Sequence, residues 1–100
     1  MKIKRNISII GGAGHVGFPL GLILSSKGFN VSLIDKHSQN IQKINNGKMP
    51  FLEENGQKLL NQMLRKKRIF ATKDLSKVKK SKYIIICIGT PITQNLNPSL

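Results

Sequence analysis

Acidic residues are scarce in this chain: four Asp and Glu face seventeen Lys and Arg, which leaves a formal charge of +13. Cysteine occurs once, at Cys87, so no internal disulfide can form, and the chain suits a reducing compartment such as the cytoplasm. No apolar run approaches the roughly 20 residues of a membrane-spanning helix. The opening, residues 1–5, is basic, but the apolar stretch after it is too short for a signal peptide and is broken by Gly11 and Gly12. Aromatic residues make up 5% and do not interleave with the two basic clusters, Arg65-Lys66-Lys67-Arg68 and residues 77–82, so bases have no stacking platform. The remaining cations are spread along the chain. Lys greatly outnumbers Arg, and Ile, Lys and Asn are all frequent, a pattern of drift toward AT-rich codons. Most of the charge therefore reads as solvated surface, with a share free to attract an anionic ligand.

What is present points to such a ligand. Gly12-Ala13-Gly14-His15-Val16-Gly17 follows the apolar run Ile7-Ser8-Ile9-Ile10, and Asp35 stands eighteen residues after Gly17. The spacing is that of a dinucleotide-binding turn between a strand and a helix. Gly12 permits a sharp turn, Gly14 lets the backbone approach a pyrophosphate, and Gly17 lets the helix lie close. The helix start offers free N–H groups and the positive end of its dipole to phosphates. Asp35, at the tip of the next strand, can accept from ribose hydroxyls and would repel a 2′-phosphate, which favours NAD over NADP. Lys36 and His37 read as a solvated turn. A bare glycine motif recurs by chance, but here its flanks agree with it.

The rest of the pattern alternates strands with helices. Residues 6–10 and 29–35 read as strands. Between them a helix over about 15–27 carries Val16, Leu20, Ile23 and Leu24 as its apolar stripe and stops at Gly28. Ser38 is placed to cap a second helix reaching about Asn46, with Ile41 and Ile44 inward. A third helix, from Glu53 or Glu54 to Arg65, shows Leu59, Leu60, Met63 and Leu64, with acids at its start and cations at its end. Residues 69–71 form a short strand, and 74–80 a basic helix or turn capped by Thr72 or Asp74. Residues 83–88 are an unbroken apolar strand, which predicts cover on both faces. The predicted fold is α/β, a Rossmann-type parallel sheet with flanking helices. Ligands in such sheets bind beyond the carboxyl ends of the strands, which places Thr90 of Gly89-Thr90-Pro91 near a cofactor. The 100 residues supply fewer strands than the whole fold, so they read as the N-terminal portion of a larger doubly wound domain.

Three further segments carry a resemblance to the UDP-glucose/GDP-mannose dehydrogenases, the nucleotide-sugar 6-dehydrogenases. They are Ile44-Asn45-Asn46-Gly47-Lys48-Met49-Pro50-Phe51-Leu52-Glu53-Glu54, then Arg68 to Leu75, then Tyr83 to Pro91. They occur in the family's order at close to its spacing, and with the glycine motif they cover nearly the whole chain. The resemblance implies oxidation of a primary alcohol of a nucleotide-linked sugar to a carboxylate, with two hydrides passing to two NAD molecules. It implies cofactor contacts at Gly12, Gly14, His15, Val16, Gly17, Asp35 and Thr90, and at Asn40. The family often has an aromatic where His15 stands and a basic residue where Asn40 stands. His15 can still bond to or pack on a phosphate, whereas Asn40 brings no charge. The family's nucleophilic cysteine lies far downstream, so Cys87, within a strand, is not assigned to catalysis. No metal ligands are assigned.

The resemblance further implies a nucleotide-sugar substrate bound by a domain beyond these residues, a homodimer in the full-length form, and a role in cytoplasmic synthesis for surface polysaccharide. UDP-glucose, UDP-N-acetylmannosamine, UDP-N-acetylglucosamine and GDP-mannose are all compatible. No membrane or nucleic-acid partner is expected. Two other classes fit parts of the pattern: a non-catalytic NAD-sensing module, which would not carry the Asn46-Gly47 and Gly89-Thr90-Pro91 segments, and a basic nucleic-acid-binding domain. Residues 1–100 alone are expected to bind NAD weakly or not at all and to oxidise no UDP-sugar. A spectrophotometric assay of NAD reduction checks this, and any turnover by this chain would refute it.

Overall fold

The computed structural model describes residues 5–51 and 56–88. Four parallel strands, β1 (Asn6–Ile10), β2 (Asn30–Ile34), β3 (Ile69–Thr72) and β4 (Tyr83–Ile86), form one sheet in the order β3-β2-β1-β4. The helices are α1 (Gly17–Ser26), α2 (Ser38–Asn45) and α3 (Gly56–Arg65), with a 3-10 helix at Leu75–Lys80. The order of connection reverses at β1: the chain steps outward to β2 and β3, then returns past both to β4. This is the doubly wound α/β arrangement expected from the alternating pattern. Glu53, Glu54 and the Gly89-Thr90-Pro91 turn lie outside the described residues. Among the described residues no helix is long and apolar enough to cross a membrane.

The core lies between the sheet and its helices. Ile7, Ile9, Val31, Leu33, Ile69 and Ala71 alternate along their strands onto one face, where they meet Phe18, Leu22, Ile44, Leu60 and Met63. The stripes read for α2 and α3 face inward as expected, with Ile44 and Leu60 fully buried. The stripe read for α1 is corrected. Its buried face is Gly17, Phe18, Gly21, Leu22 and Ser25, while Val16 and Ile23 are exposed and Leu20 and Leu24 pack only partly. α1 is apolar all round, so periodicity offers no contrast, and small residues decide the face. A Cβ at Gly21 would come within 2.6 Å of the Leu33 side chain, so only this face lets the helix approach the sheet.

β4 also differs from what its sequence predicts. Its apolar run predicts cover on both faces, yet β4 is an edge strand, and Ile84 and Ile86 are 49% and 61% exposed. Only Ile85 and Cys87 pack against the core. The opposite face of the sheet is crossed by the 3-10 helix, no residue of which is buried. Of the two candidates for capping that helix, Asp74 is the cap: its Oδ1 accepts from the amide and hydroxyl of Ser76, while Thr72 Oγ1 accepts from the Asp74 amide just before the helix. The Ser76 hydroxyl, then its amide, hold the Asp74 carboxyl below its ordinary value, with Lys77 adding attraction. This cap is therefore intact above the usual carboxylate pKa and is lost as pH falls through the lowered one.

At the other edge, Asn45 closes the exposed side of β3. Its side-chain amide donates to the Ala71 carbonyl at 2.8 Å, and its carbonyl oxygen accepts from the Ala71 amide at 2.8 Å. One side chain thus bonds as a neighbouring strand would, tying α2 to the sheet. Replacing it, Asn45→Ala, is expected to destabilise the chain by about 1–3 kcal/mol, read from equilibrium urea unfolding.

Candidate functional site

β1 and β2 pair in parallel with Ile10 opposite Ile34, so the turn leaving β1 and the residue after β2 emerge side by side. Both turn amides at Gly11 and Gly12 donate to the Ile34 carbonyl, at 2.7 and 3.1 Å. The sequence assigns the sharp turn to Gly12, but it belongs to Gly11, which has φ +82° and where a Cβ would strike the Cys87 carbonyl. Gly12 is required for a different reason. Its Cβ would lie 2.8 Å from Leu33 Cα, so only hydrogen fits between the turn and β2. A Cβ at Gly17, the first residue of α1, would collide with the Gly11 carbonyl.

Gly14 is unlike these. Its φ is not positive, and among the described residues a Cβ built on it meets nothing closer than the Gly11 carbonyl oxygen at 3.5 Å, an ordinary contact. The protein's own packing does not require glycine here. The bare backbone opens outward, beside the start of α1, where no described residue accepts from the amides of His15, Val16 or Gly17. Val16 caps α1 without a side-chain bond. Successive free N–H groups at the positive end of a helix, with a bare Cα next to them, form a cradle for a phosphate.

Asp35 follows β2 directly. Its Oδ2 accepts from the Ala13 amide at 3.0 Å, and its Oδ1 from the His37 amide at 3.1 Å. The carboxylate is thereby aimed at the glycine loop. The cap of α2 is His37, not Ser38: the imidazole Nδ1 accepts from the Asn40 amide at 3.3 Å. Asn40, in the first turn of α2, reaches back so that Nδ2 donates to the Ala13 carbonyl at 3.1 Å. His15 is exposed and stacks on Phe51, ring centres 3.8 Å apart and planes 21° from parallel, and Phe51 meets Phe18 edge-on at 6.4 Å. Phe51 is the site residue that the sequence reading missed. Its signal was an aromatic in a connecting loop, next to Pro50, in no predicted strand or helix.

Two cavities meet at Asp35. One, of about 500 Å³, is bounded by Gly14, His15, Asn40, Lys43 and Phe51, among others. The second, of about 580 Å³, has apolar walls from Ile10, Ile34, Leu75 and Ile88, with Lys36 and Lys73 at its rim. It sits at the carboxyl ends of the strands, where open parallel sheets bind ligands. Lys36 therefore borders the cavity rather than only a solvated turn. Gly12, Gly14, His15, Val16, Gly17, Asp35 and Asn40 are brought together at this end of the sheet, while Thr90 lies outside the described residues. Among the described residues no cluster of His, Cys, Asp or Glu could hold a metal ion, and Cys87 packs partly against the core.

Known proteins share both sequence and fold. The model of the UDP-glucose/GDP-mannose dehydrogenase family, NAD binding domain, matches residues 5–100. The chain is 39% identical over 90 residues to GDP-mannose 6-dehydrogenase of Pseudomonas aeruginosa, covering 89% of this chain and 20% of that protein. The crystal structure of GDP-mannose dehydrogenase from that organism, a ternary complex, superposes with a TM-score of 0.83 over 91% of this chain and 21% of that one, at 38% identity. UDP-D-ManNAc dehydrogenase from Pyrococcus horikoshii gives 0.81 at 30% identity, over 88% and 21%. The chain thus spans about a fifth of the length of these relatives.

The glycines separate folding from binding. Gly14→Ala is expected to leave stability within about 1 kcal/mol of the parent while weakening dinucleotide binding at least about tenfold. Gly17→Ala is expected to destabilise by about 1–3 kcal/mol. Thermal unfolding paired with ligand titration distinguishes the two.

Proposed function

Since this chain belongs to the UDP-glucose/GDP-mannose dehydrogenase family, as its NAD-binding domain, we propose that it holds the cofactor of an enzyme that oxidises the C6 alcohol of a UDP- or GDP-linked sugar to a carboxylate. The observation that carries this reading is Gly14: a glycine that the fold does not need, beside unpaired helix amides and opposite an aimed carboxylate.

The residues present fit the cofactor. The amides of His15, Val16 and Gly17 bind the pyrophosphate, and Gly14 lets it come close. Asp35 accepts from the adenosine ribose hydroxyls and disfavours a 2′-phosphate. The apolar cavity at Ile10, Ile34, Leu75 and Ile88 takes the flat adenine ring and shields it from water. His15, stacked on Phe51, walls the phosphate side. When bound, NAD supplies a hydride acceptor. Taking a primary alcohol to a carboxylate removes two electron pairs and adds water, so each sugar uses two such acceptors. The nucleophile and the sugar site belong to a part of the enzyme beyond these residues. The whole enzyme then works in the cytoplasm as a homodimer supplying surface polysaccharide, a reading supported by the resemblance.

The loop, Asp35 and both cavities form within the described residues, so weak binding rather than none is expected. NAD added to the isotope-labelled chain should shift the amide signals of residues 12–17 and 35–37, and NADP should bind at least about tenfold more weakly. Asp35→Ala should lower NAD affinity at least about tenfold. Equal binding of the two cofactors, or no response at residues 12–17, overturns the reading.

A further inference from the structure

Ala13, Asp35, His37 and Asn40 form a closed ring of hydrogen bonds. Asp35 Oδ2 accepts from the Ala13 amide, the Ala13 carbonyl accepts from Asn40 Nδ2, the Asn40 amide donates to His37 Nδ1, and the His37 amide donates to Asp35 Oδ1. The bonds span 3.0–3.3 Å. Only an amide nitrogen can face a carbonyl, so the orientation of the Asn40 side chain is fixed by chemistry. The ring joins two segments far apart in sequence, the glycine loop and the first turn of α2.

Its effect on the loop follows from peptide geometry. The Ala13 amide belongs to the peptide unit between Gly12 and Ala13, and the Ala13 carbonyl to the unit between Ala13 and Gly14. Asp35 fixes the first plane and Asn40 the second. The second unit also carries the Gly14 amide, which donates inward to the Gly11 carbonyl at 3.3 Å. With glycine on either side of Ala13, these planes have little steric restraint of their own. The next unit, which carries the His15 amide, is held at its other end by the Gly14 carbonyl, which accepts from the Phe18 amide at 3.0 Å, so the Ala13–Gly14 peptide held by Asn40 is the joint between the turn and the amides of His15, Val16 and Gly17. Ala13 itself is buried and Asn40 partly so.

We propose that Asn40 is a positioning residue: it acts on the cofactor by holding the Ala13–Gly14 peptide, so that the loop is already shaped for the pyrophosphate, and not by touching the adenosine. The proposal rests on the binding reading above and refines it. A preformed loop avoids an ordering cost on binding. Loss of one such bond corresponds to about a 3- to 10-fold weaker affinity, and that loss falls on phosphate-bearing ligands alone.

The test has two arms on the full chain. In the free protein, Asn40→Ala should speed hydrogen exchange at the Ala13 and Gly14 amides several-fold. Asn40→Asp, which keeps the shape but cannot donate, should do the same. Unchanged exchange in both variants overturns the clamp whatever the chain binds. In the second arm, ADP and adenosine are titrated by NMR against the parent and Asn40→Ala. The clamp predicts about 3- to 10-fold weaker ADP with adenosine unchanged. Equal losses for both ligands show direct contact with the nucleoside, and unchanged ADP shows that the ring does not serve binding; either overturns the proposal. If the parent binds neither ligand, the binding reading fails, and with it the role assigned to Asn40 in binding, while the exchange arm still decides whether the ring shapes the loop.

Discussion

Ile10 lies opposite Ile34, and this register brings the end of β1 level with the end of β2. The turn at Gly11 and Gly12 then bonds to the Ile34 carbonyl, and Asp35 meets the next peptide. A slip of one residue would turn Ile7 and Ile9 away from Phe18 and Leu22 and would move Asp35 out of reach of Ala13. The hydrophobic core and the site are therefore fixed by the same alignment. Packing supplies the energy that holds a carboxylate beside a glycine loop.

The two faces of the sheet are unequally covered. α1, α2 and α3 pack on one side over a closed core, whereas the 3-10 helix crosses the other side with none of its own residues buried. The apolar surface left on β4 is that of Ile84 and Ile86, on the side that the 3-10 helix crosses. The site does not depend on that cover, because its parts come from β1, β2, their following turns and the start of α2.

Features set by short spacing were legible in the sequence. The alternation of strands and helices follows from residues a few positions apart, and the glycine motif with Asp35 from a fixed spacing; the structure puts the loop and Asp35 at the ends of β1 and β2, with the turn on Gly11 in place of Gly12. Where sequence reasoning failed, the deciding contact was distant or lacked contrast. α1 is apolar on every side, so its buried face was set by Gly17, Gly21 and Ser25 against the sheet rather than by a stripe of large residues. The apolar run of β4 reports what the strand is able to bury, not what lies against it. The turn fell on Gly11 because two adjacent glycines offer the same freedom, and only the position of Cys87 distinguishes them. His37 is exposed, as its place in a solvated turn predicts, but its cap of α2 was missed because its bonds to Asp35 and Asn40 form only when α2 begins. The reach of Asn40 to Ala13 spans 27 positions and leaves no local trace.

The contrast between Gly14 and its neighbours bears on descent. Selection for folding alone would retain Gly11, Gly12 and Gly17, since each faces a backbone atom that leaves no room for a methyl group. It would not retain Gly14. A lineage released from its ligand would drift at this position first while remaining as well folded as before, so the residue at position 14 marks whether such a domain is still in use.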